Sequence, residues 1–360
     1  MAQLALGRAF QWQSTSRRSV AAFSQIRNYA SQSAIPTFTP TASDELNQAL
    51  ARWRQDLFIP FGLPKRQRTS MFKEKHARRL EDEPITVNIS ENEQYTLRPL
   101  KFSELPKSKE IIDVLRLMEA ANDYKNLVPF MSGLWNSQMT VSPARWQYLV
   151  RKTGSIGRIA LIVECARQGS RTGLSLENQD ITERLFFEFH RMAHQADFKG
   201  PRVAKALALA KQTADIMDSY PSNVSSNPKY QPYVIGTLLE LSAARALDAF
   251  GGKDETNEVL NYVRKLMASW PLGKFDVLES GEFDAARVDQ KLLRSVAVYK
   301  GLKLSTKIQG FANDKALQGA VAPRLTELQK FIAKQLKSIP KASSDSVPSA
   351  ELAKLLFGQK

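Results

Sequence analysis

His190 and His194 lie four residues apart in the stretch FFEFHRMAH, a spacing that puts both imidazoles on one face of a helix. Two histidines so placed can share a zinc ion, but the zinc-protease pattern needs a glutamate directly after the first. Arg191 stands there instead, its charge repels a cation, and no third ligand is close in sequence. Packing and hydrogen bonding are therefore the expected roles of this pair. The single cysteine, Cys165, excludes an internal disulfide and every cysteine-cluster metal site. It falls within an apolar helical pattern with Ile159, Ile162, Val163 and Ala166, which predicts a buried, inert thiol. Gly154, Gly157 and Gly169 form no phosphate-cradling loop, and neither GxxxxGK[ST] nor GxGxxG after a strand occurs. Glu81, Asp82 and Glu83 follow directly on Arg78 and Arg79, which reads as a solvated boundary rather than as paired acid and base carboxylates. No nucleophile, metal centre or cofactor is indicated, and the chain reads as a non-enzyme.

What the residues do offer is positive charge. The 360-residue chain has 51 lysines and arginines against 36 acids, a formal +15 at pH 7, so an anionic partner is expected. Two zones concentrate it. The first comprises Lys65, Arg66, Arg68, Lys73, Lys75, Arg78 and Arg79, opposed only by Glu74 and preceded by Trp53, Phe58 and Phe61. With Pro60, Gly62 and Pro64 before it and no evident apolar face, segment 65–79 is expected to be an extended arm, unstructured until it orders on a phosphate backbone. The second comprises Arg287, Lys291, Arg294, Lys300, Lys303 and Lys307, with Asp289 opposing. Spacings of three and four put Arg287, Lys291 and Arg294 on one helical face, and Lys300, Lys303 and Lys307 on one likewise. A membrane-surface helix looks similar. Leu292, Leu293, Val296, Val298, Leu302 and Leu304 on the other side are enough to bury the helix within the protein.

The elements that would carry these zones are mostly helical. Residues 1–34 contain Arg8, Arg17, Arg18 and Arg27, no acid, and much Ser, Ala and Gln, the composition of a mitochondrial transit peptide. Arg27-Asn28-Tyr29-Ala30 resembles a matrix-protease site, and cleavage after Tyr29 would leave the remainder at about +11. A short helix is predicted over 44–57, from Leu46, Leu50, Trp53 and Leu57. Alternation at Ile85, Val87 and Ile89, then at Tyr95 and Leu97, predicts one β-hairpin near 84–98, which needs a neighbour to be stable. From Ser103 onward the pattern is helical, with Ser142-Pro143 as an N-cap and first helical proline. Helices are expected near 178–196, 203–217, 233–249, 254–268, 286–308 and 316–338. Segment 219–232 is the clearest break, and no stretch approaches 18 apolar residues. The fold class is mainly α, an irregular array of antiparallel helical pairs with the one hairpin. No fixed period supports a strict repeat array. The organisation expected is a transit peptide at 1–29, an extended basic arm with a short helix at 30–80, and a hairpin plus helical core at 81–221. A C-terminal helical region at 222–340 and a tail at 341–360 complete it.

Three stretches carry a resemblance: ITVNISENEQYTLRPL, LPKSKEIIDVLRLMEAANDYKNLVPFMSGL and RKTGSIGRIALIVECARQGSRTGLSL. Between about residues 79 and 221 the chain resembles fungal mitochondrial ribosomal proteins of the large subunit, in kind the mitochondrial large-subunit ribosomal protein 50 family. The region beyond 222 has no counterpart there and reads as a lineage-specific extension. The resemblance implies a structural, non-enzymatic part of the ribosome in the mitochondrial matrix. Its partners would be mitochondrial rRNA and neighbouring ribosomal proteins, reached after the import and processing machinery. Two other functions fit the charge and the helices: a helical RNA-binding factor for mitochondrial RNA expression, and a subunit or assembly factor in peripheral contact with the inner membrane.

Overall fold

The computed structural model describes residues 35–90, 93–220, 227–275, 283–340, 347 and 349–356. The expected transit peptide, and parts of the 219–232 break and of the 341–360 tail, lie outside these residues. The described chain is mainly helical with one two-stranded antiparallel sheet, and it divides into two compact units. Unit 1 is Met1–Val141 with Arg171–Gly173, and unit 2 is Ser142–Ser170 with Leu174–Lys360.

In unit 1, α1 (Asp44–Trp53) begins at Ser43, whose side chain accepts from the Leu46 amide and satisfies one of the orphan donors of the first turn. It buries Leu46, Leu50 and Trp53, then passes through a single π-turn, Arg54–Phe58, into α2 (Ile59–Gly62). The wider turn places Leu57 and Phe58 side by side on the buried face. Phe58 lies against the bare backbone of Gly133 on α6 (Leu127–Asn136), where a Cβ would stand 2.8 Å from its ring. The remaining unit 1 helices are α3 (Lys65–Phe72), α4 (Ala77–Asp82) and α5 (Ile111–Ala120).

The hairpin pairs β1 (Thr86–Ser90) with β2 (Glu93–Thr96), Val87 opposite Tyr95, with an irregularity between Asn88 and Ser90. Its neighbour is the basic segment itself. Ile59 and Leu63, Met71 of α3, Leu80 of α4, Ile89, Leu97 and Leu100 form one buried cluster, with Val87 and Tyr95 against it. Arg54 clamps the start of β2, reaching the two oxygens of Glu93 at 2.5 and 2.6 Å and the Pro36 carbonyl at 2.8 Å. This corrects the expectation of an extended arm: residues 65–72 and 77–82 are helical and packed on the hairpin core through Met71 and Leu80. The two buried side chains here, Met71 and Leu80, are nine residues apart, too sparse to show as a face in the sequence, yet each reaches a core that the hairpin helps supply.

In unit 2, α7 (Pro143–Ser155) opens with Pro143 at its first turn and the Ser142 side chain capping the Arg145 amide, as its sequence predicts. The longer helices that follow are α8 (Ala160–Arg167), α9 (Gln179–His194), α10 (Pro201–Ile216), α11 (Pro232–Ala249), α12 (Glu258–Ser269), α13 (Ala285–Ser305), α14 (Lys315–Lys337) and α15 (Ser349–Leu356). Helices α11 and α13 approach backbone to backbone. A Cβ on Gly301 would stand 2.8 Å from the Gly236 carbonyl and 3.0 Å from the Glu240 amide nitrogen, and one on Gly236 would meet the Val298 Cα at 2.8 Å. Both helices are accordingly buried over most of their surface, including Leu292, Leu293, Val296, Val298, Leu302 and Leu304.

Candidate nucleic-acid interface

The first basic zone lies on a folded surface. Gln67 and Met71, one turn apart, face the unit 1 interior on α3, which leaves Lys65, Arg66 and Arg68 on its outer sides. Lys65, Arg66, Lys73, Lys75, Arg78 and Arg79 are exposed, and Arg68 is half-exposed with its guanidinium 5.5 Å from the Phe61 ring centre. Arg79 comes within 3.9 Å of Glu83, both side chains more than 70% exposed. A pair so hydrated adds at most about 1 kcal/mol and leaves the arginine available to a stronger anion. Among the described residues the other six cations have no ion pair. Such an array offers phosphate oxygens both forked guanidinium contacts and mobile ammonium charges.

Aromatic rings border this surface. Phe72 and Phe102 stack at 4.5 Å with 19° between their planes, and Phe61 stands edge-on to Phe72 at 6.1 Å. Phe61 is evident beside the basic run, whereas Phe102, 23 residues or more beyond it, carries no local signal in the sequence.

The second zone is divided between surface and interior. Arg287 and Lys303 are exposed on α13, and Lys307 is exposed just past its end. Arg294 donates through Nε to Glu183 Oε1 at 2.7 Å, where the carboxylate side chain is 1% exposed. Lys300 is half-buried, its ammonium 4.4 Å from the Phe198 ring centre, and desolvation lowers its pKa against the opposing pull of Glu240. Lys291 is half-buried and already engaged, and Arg287 is within 4.0 Å of Asp284. The regular spacing along α13 thus becomes two exposed ends and a middle that is drawn into the fold.

His190 is fully buried, its Nδ1 at 2.8 and 2.9 Å from the Glu240 oxygens. Burial raises the Glu240 carboxyl above its ordinary range, opposed by His190 and Lys300. His194 packs beside it, its pKa lowered first by desolvation and then by His190 and Lys300. No group of three metal-ligating side chains occurs among the described residues. Cys165 is buried and its thiol is pushed up to about 12 by desolvation, so it is not a nucleophile at neutral pH. The exposed triplet Glu81, Asp82 and Glu83 remains in solvent at the end of α4.

A family model described as mitochondrial ribosomal protein mS27 matches residues 22–355. The small ribosomal subunit protein mS27 of Neurospora crassa is 25% identical over 307 residues, covering 77% of this chain and 78% of that protein. These matches overturn the resemblance to the large-subunit ribosomal protein 50 family. That resemblance rested on three separate segments, none with a chemical signature, whereas the family match runs almost end to end. It includes the region beyond residue 222, which therefore falls within the matched family. The family model covers well over half of the chain, and the chain belongs to the mitochondrial ribosomal protein mS27 family.

Proposed function

We propose that this chain is a structural protein of the small subunit of the mitochondrial ribosome, held there by rRNA and by neighbouring ribosomal proteins. The observation that carries the rRNA contact is the cluster Lys65, Arg66, Arg68, Lys73, Lys75, Arg78 and Arg79, which lies on two short helices and the turn between them and is almost wholly without ion pairs among the described residues. Because Met71 and Leu80 already anchor those helices, binding there spends little on ordering the backbone. Arg287, Lys303 and Lys307 supply a secondary basic surface, and Lys291, Arg294 and Lys300 contribute to it mainly by holding α13 in place. The small-subunit assignment is supported by the Neurospora crassa relative's name.

The arginine-rich, acid-free leader supports import into the matrix with removal of about residues 1–29 by the processing machinery. The test is sedimentation of mitochondrial lysates. The wild-type chain should travel with the small particle, and a variant with Lys65, Arg66, Arg68, Arg78 and Arg79 all changed to Gln should shift toward the soluble fractions as salt is raised. Migration with the large particle would refute the subunit assignment. Recovery of the wild type only in soluble fractions, or with an inner-membrane complex after carbonate extraction, would refute the ribosomal placement.

A further inference from the structure

Phe102 is 67% exposed, the highest value among the exposed large hydrophobic side chains described. Its position is nevertheless fixed by contacts on either side. It sits in a turn closed by the Glu104 amide donating to the Lys101 carbonyl at 3.0 Å, between the buried Leu100 and Leu105. The Leu100 amide donates to the Met71 carbonyl at 2.9 Å, which ties the turn to the last residues of α3. Phe72, on α3 one turn beyond Arg68, stacks on one face of Phe102. An open cleft of about 310 Å³ is formed here by Phe61, Phe72, Phe102, Arg68, Lys73 and Gln138.

Rings that serve only to fill a core are covered, and a lone exposed phenylalanine on a monomer needs no explanation. Here three rings share one cleft, and two cations line it with them. The rings offer flat apolar faces, the cations attract a polyanion, and the Gln138 amide can both donate and accept a hydrogen bond. Unpaired nucleotides combine a planar base with a phosphate, and single-strand sites pair aromatic platforms with basic grooves for that reason. We propose that this cleft receives an unpaired base of RNA, stacked on the Phe72–Phe102 platform while Arg68 and Lys73 hold the adjoining phosphates. This rests on the rRNA contact proposed above and makes it specific to a single-stranded segment. A protein partner of acidic character would use the cations without needing the exposed ring faces.

The test uses the full chain with two labelled probes, a short oligouridine strand and an RNA duplex of equal length, followed by fluorescence anisotropy. Phe102→Ala should weaken oligouridine binding about 5- to 150-fold, the effect of removing one base–aromatic stack. It should leave duplex affinity and the salt slope unchanged. Phe102→Leu, which keeps apolar contact with Phe72 but has no π face, should lose affinity likewise, and Phe102→Trp should retain it. Lys73→Gln should instead weaken both probes and reduce the slope by about 0.7 for each single-strand phosphate that the lysine neutralises. A wild type that binds both probes, with Phe102→Ala and Phe102→Leu unchanged or weakened equally on both, overturns the stacking site alone. A wild type that binds neither probe overturns the RNA contact and the stacking site together.

Discussion

Segment 65–79 and helix α13 are both basic and both helical, yet they use their charges in opposite ways. Helices α3 and α4 are short and touch the unit 1 core through Met71 and Leu80, so their cations stay in water. Helix α13 is enclosed on several sides, and any long side chain near its middle lies against protein. There a cation must find an anion or a ring, because an unpaired buried charge costs several kcal/mol, about 3–5 when one partner of a buried pair is removed. Arg294 finds Glu183 and Lys300 finds Phe198. Burial depth, more than charge density, decides which basic run remains available to an external polyanion.

The comparison is broken most directly at Arg294. Arg294→Gln leaves Glu183 buried without its counter-charge and should cost about 3 kcal/mol in a urea melt, near the lower end for such pairs because the arginine is 33% exposed. A cost below about 0.5 kcal/mol, the usual range for a surface change, would put Arg294 in the same class as Arg66.

The enclosure of α13 is tested next by Gly301→Ala. In an open helix this change adds roughly 1 kcal/mol of stability through propensity alone. At Gly301 the new methyl would press on the Gly236 carbonyl and the Glu240 amide, which are backbone and cannot rotate away. A net loss of about 1–3 kcal/mol is expected, and a gain would show that α11 and α13 are not in close contact.

A smaller effect appears in the pH dependence of unit 2. Glu188 is pushed up to about 7 by desolvation, against the opposing pull of Arg191, Arg184 and Arg151. Part of that burial is contact with the bare Cα of Gly154, where a side chain would collide with the carboxylate. In the unfolded chain a glutamate titrates near 4.3. The raised folded value means that Glu188 favours the folded state fully below about pH 4.3 and that this contribution is lost as pH rises toward 7. Glu183 and Glu240 are shifted in the same direction, chiefly by desolvation. Glu188→Gln should therefore flatten, without abolishing, the fall in stability between those pH values, as chemical denaturation at stepped pH would show. An unchanged slope would mean that Glu188 is solvated.

The smallest change in stability belongs to the exposed cluster. Replacing Lys65, Arg66, Arg68, Arg78 and Arg79 with Gln should alter the urea midpoint little, within about 0.5 kcal/mol per site. The same variant should lower the salt dependence of rRNA binding by about 0.7–0.9 for each phosphate no longer neutralised. A large loss of stability would show that these side chains serve the fold as Arg294 does.

Much of the helical framework is legible in the sequence because its signals are local. Ser142-Pro143 is a cap followed by a first-turn proline, and the apolar residues Leu292, Leu293, Val296, Val298, Leu302 and Leu304 of α13 all prove buried. The period-two run through Val87, Ile89 and Tyr95 likewise marks the hairpin. The helicity of 65–79 is not legible, since Met71 and Leu80 acquire their burial from Ile89, Leu97 and Leu100 of later segments. The large-subunit resemblance fails for a related reason: short helical stretches record local packing, and subunit membership is not a local property.

Residue type and spacing by themselves determined that this chain is basic and mainly helical, that it has one cysteine and three histidines, and that its first 34 residues carry four arginines and no acid. These follow from composition and from periods of two and 3.6 residues, which act over a few positions. Tertiary structure alone decided that Arg294 reaches Glu183 across 111 residues, that His190 meets Glu240 across 50, and that Phe102 lies flat on Phe72. Those choices depend on which distant side chain arrives first in a space with little water, where a charge must be paired and an amide satisfied. No local pattern encodes that.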